Sequence, residues 1–274
     1  MASHSPRAQR HSSKTIGMQG VPIDWQTNIE RWTLVLRTAD RAEGTIKTRT
    51  GHIAQLARWL RRKPLTGVTA EDVIEFTGSH EWSRAYRRSM YVSLRQFFRW
   101  AHGCAVVDVD PALNLPTIQP SKRQRQPASE DAVWAAWSKA SARELLMLSL
   151  AIGYGLRRSE VAQAHRDHVL RDLAGWILLV KGKGGKERLV PIEDHLAAAL
   201  LRAGDETGWI FPGDIDGHLS PRWVGTLVSR LLPGAFTMHS LRTRFAVVTH
   251  NQTRNIRVVQ ELLGHASVTT TQIY

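Results

Sequence analysis

Arg157 in "GYGLRRSE", Lys183 in "KGKGGKERLVP", His239 and Arg242 in "HSLR", and His265 and Tyr274 in "LLGHASVTTTQIY" are the side chains whose types and spacing could do chemistry. Arg157 follows Gly153 and Gly155, Lys183 lies in a Gly- and Lys-rich turn, and His265 follows Gly264 where a helical pattern ends. His239 and Arg242 stand one helical turn apart, so both can face one ligand. Two arginines, a lysine and two histidines make a poor hydrophobic core and a good cage for an oxyanion. No carboxylate cluster accompanies them, so two-metal phosphodiester chemistry, which needs acidic ligands, is not expected. Their neighbours read differently. Arg158 is expected to face solvent, Glu160 to steady the basic groups or cap a helix, and Tyr154 to belong to the core.

The elements that must hold these groups are helical, with one hairpin. "ARELLMLSLAIGYG" is an apolar helix ended by glycines, and "SEVAQAH" resumes helix with Ser159 as its expected cap. In "GWILLVKGKGGKERLVPI" two β-rich runs, Trp176 to Val180 and Leu189 to Ile192, flank the lysine-bearing turn, which predicts a hairpin. From Thr237 the pattern returns to helix, with Val259, Leu262 and Leu263 facing inward and Gly264 ending the turn. Ser267 is expected to cap a new short helix that carries Tyr274.

The first block, from about Pro22, is helical throughout. Ile46, Ile53, Leu56 and Leu60 form one apolar stripe; Met90, Leu94, Phe97 and Ala101 form another. Trp59, Phe97, Phe98 and Trp100 are expected in the core. Arg84, Arg88, Arg95 and Arg99 fall on one side of a helix turning about 100° per residue and, with Lys47, could track a phosphate backbone. Between the blocks, "TIQPSKRQRQPASED" has prolines, basic residues and no periodicity; it reads as a linker whose Lys122, Arg123 and Arg125 could lie along DNA.

Charge points the same way. The 274 residues carry a net charge of +13, and 42% of them are hydrophobic, enough for two packed cores. Residues 1–128 hold 20 Lys and Arg against 10 Asp and Glu; residues 129–274 hold 17 against 14. The front half is therefore the expected electrostatic grip on a polyanion. Cys104 is the only cysteine, which excludes a disulfide framework or a cysteine-based zinc site within the chain. No apolar run reaches membrane-spanning length and the N-terminus lacks a signal-peptide core, so a cytoplasmic protein is expected, with no membrane partner.

In the combination "GLRRSE", "KGKGGKERLVP", "HSLR" and "LLGHASVTTTQIY" the chain resembles the tyrosine recombinase (phage integrase) family. The resemblance implies a mainly α fold with a small β-sheet. Its expected parts are a basic tail (1–20), a helical core-binding domain (21–115), a linker (116–128) and a mixed α/β catalytic domain (129–274). It also implies a phage- or prophage-type integrase, performing site-specific recombination of DNA without metal or cofactor. Tyr274 would attack a backbone phosphorus, forming a 3′-phosphotyrosyl link and freeing a 5′-hydroxyl. Arg157 and Arg242 would meet the growing charge on the phosphate. Lys183, with Lys181 and Lys186 as local rivals, would protonate the leaving oxygen. His239 would accept the phenol's proton, and His265 would hydrogen-bond the phosphate.

The expected partners are a double-stranded DNA attachment site, three further copies of the chain in a tetramer on two sites, and an accessory factor that sets direction. Two departures from the family pattern stand out. The sequence stops at Tyr274, where the family ordinarily continues into a helix that docks on a neighbouring subunit, and Thr243 follows Arg242 where a histidine is usual. With a tail of about twenty residues, an arm-binding domain is not expected. The alternative expectations are a resolvase or strand-passing enzyme of the same chemistry, and a DNA-binding repressor that kept the fold and lost turnover.

Overall fold

Trp25 and Trp32 stand two turns apart on the first helix, and both are buried. That spacing drives the helix into the first core. The computed structural model describes residues 18–120, 126–182 and 185–264. The tail to residue 17, Lys122, Arg123, Arg125, Lys183 and the stretch from His265 to Tyr274, with its expected Ser267 cap, lie outside the described residues. The chain divides between Lys122 and Arg123 into two units, each with its own apolar core.

The first unit consists of α1 (Ile23–Thr38), α2 (Glu43–Trp59), α3 (Ala70–Gly78) and α4 (Arg84–Gly103). Short polar side chains start the later helices. Thr69 and Asp72 close a reciprocal capping box on α3, and Ser83 accepts from the Tyr86 amide at α4. Phe97 fills the centre, stacked on Trp25 with ring centroids 6.2 Å apart and meeting Trp32 edge-on at 5.3 Å. Both apolar stripes face this core: Ile46, Ile53, Leu56, Met90, Leu94, Phe97 and Ala101 are all fully buried. At roughly 1.5–3 kcal/mol for each large side chain removed from water, these stripes hold the helices together. Trp59 and Trp100 pack half-buried at its margin. Cys104 is exposed just past α4.

The second unit begins with α5 (Glu130–Trp137), α6 (Ala142–Gly153) and α7 (Arg158–Ala162). A three-stranded antiparallel sheet follows, β1 (Val169–Asp172), β2 (Gly175–Lys181) and β3 (Glu187–Ile192), in that order. Then come α8 (Asp194–Ala203), β4 (Pro212–Ile215), α9 (Pro221–Leu231), α10 (Met238–Thr253) and α11 (Ile256–Leu263). The expected hairpin is β2–β3, closed by the Gly182 amide donating to the Lys186 carbonyl at 2.7 Å. β1 adds a strand that the sequence reading lacked. It turns into β2 through Asp172, whose side chain accepts from the amides of Ala174 and Gly175. Leu178 sits opposite Val190, and Val180 opposite Arg188, so these four share one face of the sheet. Three of them, Leu178, Val180 and Val190, are buried in the unit's core. The architecture is thus mainly helical with one small antiparallel sheet.

Candidate active site

The double glycine before Arg157 has a steric reason. Gly155 has φ +63°, and a Cβ there would lie 2.4 Å from a ring carbon of Phe245 and 2.9 Å from the Leu263 side chain. Only glycine lets the chain turn so close to α10 and α11. Leu156 then hooks back, its amide donating to the Leu150 carbonyl, and α7 starts at once. Ser159 is not the cap. Arg157 occupies the N-cap position, and its amide is satisfied by Glu160 Oε2 at 2.8 Å, because a carboxylate three residues on can reach back where a serine two residues on cannot.

Glu160 organises the basic groups. Its side chain is 1% exposed. Oε1 accepts from Arg157 Nη1 at 2.7 Å and from Arg188 Nη1 at 2.9 Å; Oε2 accepts from Arg188 Nη2 at 2.8 Å, and Arg242 Nη1 stands 3.7 Å away. Burial alone would raise this carboxyl. The hydrogen bonds and charge of Arg188, followed by the amide and guanidinium of Arg157, overcome burial and hold it at about 2. One buried anion therefore lies among three cations.

The arginines also converge on the end of α11. Arg242 Nη2 donates to the Leu263 carbonyl at 2.6 Å and Arg157 Nη1 to the same oxygen at 3.3 Å, while Arg188 Nε donates to the Leu262 carbonyl at 2.9 Å. These are the unsatisfied carbonyls of a helix C-terminus, where positive charge is favoured. Gly264 follows in a left-handed conformation, φ +61°, with its missing Cβ 3.0 Å from Arg188 Cδ. Arg242 Nη1 also donates to the Gly155 carbonyl, so the two motifs "GYGLR" and "HSLR" are tied to one another.

Arg157, His239 and Arg242 open onto one cavity of about 930 Å³, also lined by Arg158, Arg222 and Arg230. Among the described residues, no carboxylate lines it. Arg158 is exposed at its edge, Tyr154 packs half-buried against the core with its hydroxyl accepting from the Glu193 amide, and Arg230 lies over the Trp223 ring at 5.2 Å. Such a surface suits a phosphate oxyanion, with planar guanidinium forks supplying paired donors. Among the described residues no three His, Cys, Asp or Glu side chains gather to hold a metal ion.

Sequence reasoning placed Arg157, His239 and Arg242 together and missed Arg188, Arg222 and Arg230. Arg188 had a signal. "ERLVPI" alternates Arg188, Val190 and Ile192 on its inward face, and a charge at an inward strand position needs a buried partner.

On the first unit, Arg88 lines a polar groove of about 310 Å³ with Thr45, Thr48, Arg49 and Ser89. Arg49 is bonded to Gln96. Lys47, Arg84 and Arg99 are exposed. Arg95 shares their face but donates to the carbonyls of Leu115 and Pro116, at 2.7 and 2.6 Å. Its guanidinium braces the end of this unit.

Residues 117–274 match the family described as the phage integrase family. The chain belongs to that family. It is a tyrosine recombinase, a DNA strand-transferring enzyme. It is 31% identical to tyrosine recombinase XerD of Caulobacter vibrioides over 231 residues, 75% of each chain. It is 37% identical to tyrosine recombinase XerC of Bradyrhizobium diazoefficiens, over 48% of this chain and 45% of that one. Its fold is similar to that of a lambda integrase dimer bound to a COC′ core site, with a TM-score of 0.71, 18% identity, and 93% of this recombinase and 77% of that chain covered. The XerH recombinase in a post-cleavage complex gives 0.67 at 18% identity, over 90% and 79%. Among the recombinase's described residues, no helix is long and apolar enough to cross a membrane.

Proposed function

We propose that this recombinase cuts and rejoins DNA at a specific site through a 3′-phosphotyrosyl link at Tyr274, as an integrase of mobile DNA. The observation that carries this reading is the cavity where Arg157, His239 and Arg242 meet beside the end of α11, with no carboxylate among its described lining residues. From Gly264 only ten residues lead to Tyr274. As the phenol attacks, negative charge grows on the non-bridging oxygens, and two permanently charged guanidinium groups held in place beforehand oppose it without reorganising. His239 takes the phenol's proton, Lys183 delivers one to the leaving 5′-oxygen, and His265 bonds the phosphate. Strand exchange follows when a second 5′-hydroxyl attacks the link, so the bond energy is conserved. Four cleavages call for a tetramer on two duplexes, and an accessory factor would select direction. Lys47, Arg84, Arg88 and Arg99, with Lys122, Arg123 and Arg125, serve the phosphate backbone.

A duplex nicked close to the cleavage point lets the freed end diffuse away and tests this directly. The wild-type chain should accumulate covalent DNA adduct, and Tyr274→Phe should leave none while binding DNA equally well. Tight binding without adduct in the wild type would leave the repressor reading standing. The XerC and XerD relatives favour a second reading, a Xer-type chromosomal recombinase. Mapping Tyr274 adducts in cells separates the two: the edges of a mobile element for the first, a single chromosomal locus outside any element for the second.

A further inference from the structure

Arg188 makes no contact with the cavity that binds the reacting phosphate in the reading above, yet it takes three of the best-placed acceptors around it. Its fork spans both oxygens of Glu160, and its Nε holds the Leu262 carbonyl, leaving the side chain 11% exposed. Resting on that reading, we propose that Arg188 is a positioning residue: it takes up the charge of Glu160, so that Arg157 and Arg242 stay directed at the DNA phosphate, and it ties the β2–β3 hairpin to the last turn of α11.

The charge arithmetic is simple. Arg157, Arg188 and Arg242 around Glu160 leave two net positive charges at the site. Without Arg188 the carboxylate remains buried and two of its lone pairs are vacated. Arg242 Nη1, 3.7 Å from Oε2, is the nearest cation able to close in. Doing so would turn it inward, away from the cavity and off the Gly155 carbonyl, and one net charge would remain for the phosphate. Hydrogen bonding drives this shift, because a buried carboxylate with empty acceptor sites is strongly destabilised. The hairpin would also lose its hold on the last turn of α11.

The test is a charge cycle. Arg188→Met removes the cation, Arg188→Lys keeps charge without the fork, and Arg188→Met with Glu160→Gln restores two net positive charges. Each protein is first checked for a wild-type circular dichroism spectrum. Covalent trapping on the nicked duplex should slow about 100-fold in Arg188→Met, the scale of losing one preorganised donor, with half-saturating DNA changed less than about threefold. The double variant should recover to within about tenfold of wild type, and Arg188→Lys should fall between. Calorimetric binding of inorganic sulfate should follow the same order, weakened about tenfold in Arg188→Met and restored in the double variant. Should Arg188→Met fail to fold, the double variant and Arg188→Lys decide the matter by the same two measurements. Wild-type rates and sulfate binding in Arg188→Met, or a folded double variant as impaired as Arg188→Met, would overturn the proposal. A wild type that forms no adduct would refute the proposed cleavage through Tyr274 alone, since the sulfate series still reports on Arg188.

Discussion

Glu160 sets the acid limit of the second unit. Its carboxyl is held at about 2, below its ordinary 4.5, so it binds a proton less readily folded than unfolded. The stabilisation that results, on the order of 3 kcal/mol, is complete above the ordinary carboxylate range and is lost as pH falls through about 2. In Glu160→Gln that contribution is missing at every pH. Urea denaturation should therefore show the widest gap between wild type and Glu160→Gln near pH 7, narrowing as pH falls from 5 towards 2; a gap that stays constant would contradict this assignment. At this scale the motifs were legible because glycine, arginine and histidine at fixed offsets have few structural uses together. Arg188 was legible only through the alternation of its strand, since a single arginine between a glutamate and a leucine looks like solvent-facing sequence until Val190 and Ile192 show which face turns inward.

The helical stripes of the first unit followed from periodicity, because burial every three or four residues is imposed by helix geometry itself. Periodicity says which face a residue occupies, and nothing about what a long side chain reaches. Arg95 has the angular position of Arg84, Arg88 and Arg99 and yet bends to two backbone carbonyls. Arg88→Ala should accordingly weaken DNA binding and lower the slope of log affinity against log salt by about one. Arg95→Ala should leave that slope unchanged and lower the unfolding free energy of its unit by about 1 kcal/mol, as the part-buried Leu115 carbonyl loses its donor while water reaches that of Pro116. Salt titrations and denaturation of the two variants check both expectations. β1 escaped detection for a different reason: its four residues are too short to display alternation, and its existence depends on the Asp172 turn and on a partner strand already in place.

Two separate cores imply that the chain behaves as two cooperative bodies joined by the proline- and base-rich stretch at 116–128. Limited trypsin digestion should cut first within that stretch, at Lys122, Arg123 or Arg125, and leave two fragments that each keep helical circular dichroism. Early cleavage inside α4 or α10 instead would contradict it. Composition made this stretch legible, because a segment whose apolar residues, Ile118 and Ala128, stand only at its two ends has little to bury in between.

The Arg188–Glu160 pair has a consequence for descent. A lineage that loses either partner first must pass through an ancestor in which the remaining ion has lost its best-matched hydrogen bonds inside the protein, so the two positions are inherited as a couple. Where one has drifted to a neutral residue, the other should have drifted with it.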